Sequence, residues 1–85
     1  MMYRVEILRS AAKELQRIHP DDRVRIISAL QNLANDPRPN DCKKLTNRPA
    51  WRIRIGAYRV IYEIHDRELL VLVVAAGKRS EIYRT

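Results

Sequence analysis

Arg52, Arg54 and Arg59 are spaced around a Gly56-Ala57 pair, within a stretch from Trp51 to Ile64 that reads as two strands of period-2 alternation. A two-residue loop with Gly first is a tight-hairpin signal. If Gly56 and Ala57 are the whole loop, Ile55 faces Tyr58, Arg54 faces Arg59, Ile53 faces Val60 and Trp51 faces Tyr62. One face is then apolar and aromatic, and the other carries the three arginines. Like charges directly opposite on a sheet are destabilising. An anion resolves that conflict, and guanidiniums converging on one patch suit a phosphate.

Other chemistries find no support in the residues. The chain has no paired-carboxylate site, no HExxH and no phosphate-cradling glycine loop. One cysteine, Cys42, and two scattered histidines, His19 and His65, cannot build a usual zinc site, so neither metal nor cofactor is expected. Cys42 alone forms no internal disulfide, which suits a reducing cytoplasm. No apolar run reaches membrane-spanning length, and Met1 to Glu6 lacks the apolar stretch of a signal peptide. The expected location is the cytoplasm, away from any membrane.

The 85 residues make one small domain, 1–85. Net charge is +7 and unevenly placed. Residues 1–42 hold seven Lys/Arg against six Asp/Glu, whereas residues 43–85 hold ten against four. The basic excess in the second half points to nucleic acid or an acidic protein. No basic amphipathic helix is read from the sequence, which weighs against a membrane surface.

The elements that must position the arginines follow in order. Tyr3, Val5 and Ile7 alternate as a first strand. Ser10 is read as the N-cap of a short helix with Ala11 or Ala12, Leu15 and Ile18 at helical spacing. His19-Pro20 interrupts it, and Pro20, Asp21 and Asp22 open a second helix. In that helix Val24, Ile27, Leu30 and Leu33 form an apolar stripe beside Ala34. Residues 36–50 read as a loop with Pro37, Pro39 and Pro49. After the hairpin, Asp66-Arg67 makes a turn, and Leu69 to Ala76 reads as a strand central in the sheet, broken by Gly77-Lys78-Arg79-Ser80. The expected fold is α+β: a small antiparallel sheet packed on two N-terminal helices, in the order β-α-α-β-β-β. Leu70, Leu72 and Val74 should share the face of the arginines, leaving apolar area beside a cationic patch.

With the hairpin and the basic-tyrosine ending in view, the chain resembles the RelE/ParE superfamily of bacterial toxins from type II toxin–antitoxin pairs, and within it the RelE branch of ribosome-dependent mRNA endonucleases. The matching stretches are Lys44-Leu45, Trp51-Arg52-Ile53-Arg54, Gly56-Ala57-Tyr58-Arg59-Val60-Ile61-Tyr62 and Gly77-Lys78-Arg79-Ser80-Glu81-Ile82-Tyr83. The order and spacing cover essentially the whole chain. By position, the resemblance implies site roles for Arg52 and Arg54 in the first hairpin strand, Arg59 in the second, and Arg79 and Tyr83 near the end.

The implied reaction is metal-independent. RNA supplies its own nucleophile, the 2′-OH, which attacks the adjacent phosphate while the 5′-oxygen leaves. Arg52, Arg54 and Arg59 would hold the phosphate, Tyr83 would relay the proton at the 2′-OH, and Arg79 would assist the leaving oxygen. Lys43, Lys44, Arg48 and Lys78 are candidates for backbone contacts to RNA. Phenol and guanidinium are weak acid–base groups at neutral pH, which fits an enzyme that relies on the ribosome to place its mRNA. The implied partners are the ribosome, mRNA and a cognate antitoxin whose acidic segment folds on binding. The outcome would be inhibited translation and growth arrest. Two rivals stand beside this reading: a gyrase poison of ParE type with the same fold, and a non-catalytic RNA-binding module.

Overall fold

A computed structural model describes residues 2–78. The elements are β1 (Arg4–Ile7), α1 (Arg9–Gln16), α2 (Pro20–Asn32), β2 (Cys42–Lys44), β3 (Trp51–Ile55), β4 (Tyr58–His65), a 3-10 turn (Asp66–Glu68) and β5 (Leu70–Lys78). Among the described residues the sheet has five strands in the order β1-β5-β4-β3-β2. The expected α+β fold is present, with two differences in the sheet. β1 pairs with β5 in parallel, Val5 opposite Val71 and Ile7 opposite Val73, so the sheet is mixed. The stretch read as a loop contains β2, which pairs antiparallel with β3.

The hairpin register is the one the sequence predicts, with Arg54 opposite Arg59 and Trp51 opposite Tyr62. Gly56 takes φ +61°, and a Cβ there would lie 3.3 Å from an Arg25 guanidinium nitrogen. β5 is an interior strand, between β1 and β4, and runs on through Gly77 and Lys78, where the sequence reading broke it. It carries one extra residue: Ile61 faces Ala75 but Tyr62 faces Val73, so Val74 is bulged. The bulge shifts the phase of the strand's last residues. Gly77, with no side chain, then stands opposite Arg59.

Both helices cover the apolar face. α1 buries Leu15, with Ile18 just beyond its end, as the spacing predicts, and of the two alanines it buries Ala11. α2 departs from its predicted stripe. It buries Ile26, Leu30 and Leu33, while Val24 is 68% exposed. At about 100° per residue, steps of three drift around the helix, and Val24 ends roughly opposite Leu33. Spacings of four and three keep Ile26, Leu30 and Leu33 on one side. The start of α1 also differs. Its N-cap is Leu8, which makes no side-chain cap, and Ser10 lies inside the helix.

At one end of the sheet, loop 33–41 is tied down by side chains. Tyr62 is fully buried and donates its hydroxyl to the Pro37 carbonyl at 2.8 Å. Burial pushes the Tyr62 phenol well above its ordinary pKa. Arg38 donates to both carboxylate oxygens of Asp66, at 3.3 and 2.9 Å, and Tyr3 donates to Asp66 at 2.6 Å. The Arg38 guanidinium also lies 5.3 Å from the centre of the Trp51 ring, within cation–π range.

Candidate nucleic-acid interface

The side of the sheet away from the helices carries the cationic residues, because strand alternation sends every second side chain there. Register places Lys43 opposite Arg52, and Arg54 opposite Arg59. Two like-charge pairs therefore lie in adjacent rows across β2, β3 and β4. Lys43 and Arg54 are exposed and Arg52 is half-buried. Arg59 is 3% exposed, so it sits beneath the surface the others present. Asp41, Lys43, Arg52 and Arg54 line a cleft of about 470 Å³.

Asp41 has no place in the sequence-based site, because the three-residue strand that brings it there is shorter than any periodic signal. Beside the cleft, Ala50 and Ile61 are buried, with Leu45, Val74 and Ala75 packed on them. The expected apolar area next to the arginines is thus partly consumed by a small cluster of its own. Leu70 and Leu72 continue that face, half-buried opposite His65 and Glu63. Those two partners meet each other, with Oε1 of Glu63 2.9 Å from Nε2 of His65.

The structure separates the remaining basic candidates from this patch. Lys44 is opposite Trp51 and Lys78 opposite Tyr58, both on the register positions of the helix side. Lys78 lines a second cleft, of about 460 Å³, with Arg17, Glu14 and Tyr58. Arg48 is exposed in the loop between β2 and β3. Arg79 and Tyr83 lie outside the described residues. Among the described residues, no cluster of three His, Cys, Asp or Glu is placed to hold a metal ion. No helix there is long and apolar enough to cross a membrane.

What this surface can do is bind a polyanion: it offers several donors on a rigid sheet, and Asp41 is the one acid lining the cleft among the described residues. Comparison with known proteins agrees with the fold and narrows its kind. A RelE-like toxin protein of Escherichia coli is 28% identical over 87 residues, covering 98% of this chain and 92% of the relative. An E. coli protein named mRNA interferase toxin RelE is 28% identical over 88 residues, with the same coverage. Among solved structures, the archaeal RelE–RelB complex from Pyrococcus horikoshii superposes with a TM-score of 0.83 at 28% identity, covering 93% of this chain and 97% of that one. A free E. coli RelE mutant gives 0.82 at 27% identity, covering 99% and 93%. The family model described as the ParE toxin of type II toxin–antitoxin systems matches residues 5–83, and the chain belongs to that family, within the RelE/ParE superfamily of toxins.

Proposed function

We propose that this toxin is a metal-independent endoribonuclease that cuts mRNA in the ribosomal A site. The observation that carries the reading is the pair of like-charge rows, Lys43 with Arg52 and Arg54 with Arg59, beside an open cleft. The naming of relatives as mRNA interferases supports it. In this reading the RNA strand crosses the cleft with its scissile phosphate at Arg52 and Arg54. Their donors stabilise the extra negative charge as the 2′-oxygen bonds to phosphorus and the 5′-oxygen departs. Arg59, beneath them, adds positive potential without offering an open contact surface. Arg79 follows directly on Lys78 in the sequence and assists the leaving oxygen, and Tyr83 relays the 2′-OH proton. Lys43 and Arg48 hold flanking phosphates.

The toxin is held inactive by a cognate antitoxin with an acidic segment. Several similar structures are RelE–RelB complexes, which supports a partner of that kind. The cytoplasm, where ribosomes and mRNA are found, is the place of action.

One finding favours a second reading. The matching family model carries the ParE name, and ParE-type action would make this a gyrase poison rather than a nuclease. Purified toxin tested on translating ribosomes by primer extension, beside a gyrase supercoiling assay, separates the two. Breaks within the A-site codon with supercoiling untouched are expected. Intact mRNA together with blocked supercoiling would overturn the proposal.

A further inference from the structure

α1 and α2 begin in opposite ways. α2 has Pro20 at its first turn, Asp21 and Asp22 facing the positive end of its dipole, and His19 Nδ1 accepting from the Asp21 amide at 3.2 Å. α1 has no side-chain cap, no acid in its first turn, and Arg9 as its first residue. A cation at a helix N-terminus opposes the dipole, so stability alone does not account for it. Arg9 is also the first of three. Arg9, Lys13 and Arg17 recur every fourth residue, so they share one side of the helix and its last turn, about 6 Å apart along the axis.

All three are exposed. The exposed positions of α1 and its C-cap are Arg9, Ser10, Lys13, Gln16 and Arg17: polar, without an acid and without an apolar side chain. The one acid of the helix, Glu14, is turned to the sheet, with Oε1 accepting from the Ala76 amide at 3.4 Å. Among the described residues no acid forms an ion pair with any of the three.

We propose that this outer face of α1 is a docking surface for the phosphate backbone of structured RNA, distinct from the cleavage cleft. The inference rests on the RNA-directed function above and names a second contact for it. The chemistry favours a nucleic acid over a protein. Protein interfaces draw their affinity from buried aromatic and apolar anchors, and this face has none. Three evenly spaced point charges on a rigid rod match instead the regular repeat of phosphates along one strand of an RNA helix, which proteins recognise by shape and backbone. The two surfaces are joined. Arg17 shares the 460 Å³ cleft with Lys78, and the residue before Lys78, Gly77, stands in register with Arg59. A small toxin lying between substrate RNA on its sheet and scaffold RNA on its helix would be held from two sides.

The test is a combined Arg9→Gln, Lys13→Gln and Arg17→Gln variant, since glutamine keeps helix propensity near that of the residues it replaces. Binding to purified empty 70S ribosomes is measured across a salt series, with circular dichroism confirming the fold. Three lost phosphate contacts should make the slope of log affinity against log salt shallower by about two to three. On translating ribosomes KM should rise while kcat stays level. A slope equal to that of the wild type overturns the proposal. So does weakened antitoxin binding with ribosome affinity intact, which would assign the face to a protein. If the slope falls as expected but wild-type toxin cuts no mRNA, the docking surface stands and the nuclease reading is the one that fails.

Discussion

Two parts of this molecule use arginine on the same small sheet and to opposite ends. Near the 3-10 turn, Arg38 meets an acid. Asp66 takes two of its donors and one from Tyr3, and the guanidinium covers the Trp51 ring. The charges there are complementary, and the effect is to fasten loop 33–41 against the strands. At the hairpin, Arg54 is set opposite Arg59 and Lys43 opposite Arg52. There the register brings like charges together beside an open cleft. Residue type does not separate the two: a loop and a turn set Arg38 beside an acid, whereas strand register sets Arg52 and Arg54 beside like charges. Arg59 is charged, in the cationic row, and almost wholly covered.

Substitution tells the two arginine clusters apart. The largest expected effect is functional: replacing Arg52 and Arg54 together by alanine should relieve growth arrest on expression of the toxin alone. Loss of donors aimed at developing charge costs roughly 100- to 1,000-fold in rate for each one. Circular dichroism should show the fold retained, since neither side chain belongs to the apolar core. A double variant that still stops growth would put the active surface elsewhere.

Next comes the fastened end. Tyr62→Phe removes the hydroxyl that satisfies the buried Pro37 carbonyl, and should lower unfolding free energy by about 1–3 kcal/mol. Denaturant midpoints measure this, and mRNA cutting per folded molecule should not change. Gly56→Ala probes the hairpin turn, because Gly56 has a positive φ and an Arg25 nitrogen of α2 close by. A loss of about 1–2 kcal/mol is expected in the same measurement.

The smallest effect separates the clasp by its pH response. The Arg38 guanidinium, followed by the Tyr3 hydroxyl, holds the Asp66 carboxyl below the usual carboxylate range. A carboxylate with a depressed pKa stabilises the fold above its unfolded value and loses that contribution as pH falls through the folded one. Asp66→Asn should therefore be less stable than wild type at neutral pH, and the gap should narrow as pH falls below about 4, the pKa of an ordinary aspartate, closing only below the lower folded value. A gap independent of pH would show that the ion pair contributes nothing.

The hairpin and its charged face are legible in the sequence because a two-residue loop fixes every later pairing. The rest depends on contacts that lie far apart along the chain or on short signals. β1 lies parallel to β5, a pairing between the first strand and the last one described that no local pattern encodes. β2 spans three residues in a proline-rich stretch, so nothing periodic places Asp41 or pairs Lys43 with Arg52. Counting in threes assigns Val24 to the core, whereas the helix turns in 3.6 and buries Ile26. The cationic stripe on α1 is hidden for a related reason. Summed over residues 1–42 the charge is nearly balanced, and only the helix separates Arg9, Lys13 and Arg17 from Glu14. The bulge at Val74, which sets Gly77 against Arg59, has no signature in an apolar run.

The most direct measurement compares single substitutions at the two ends, Arg54→Ala and Arg38→Ala, in primer extension on translating ribosomes at equal folded concentration. Cutting should fall about 100-fold or more for Arg54→Ala and stay near wild type for Arg38→Ala. Equal losses in both, or none in either, would contradict the assignment of the like-charge rows as the site that meets RNA.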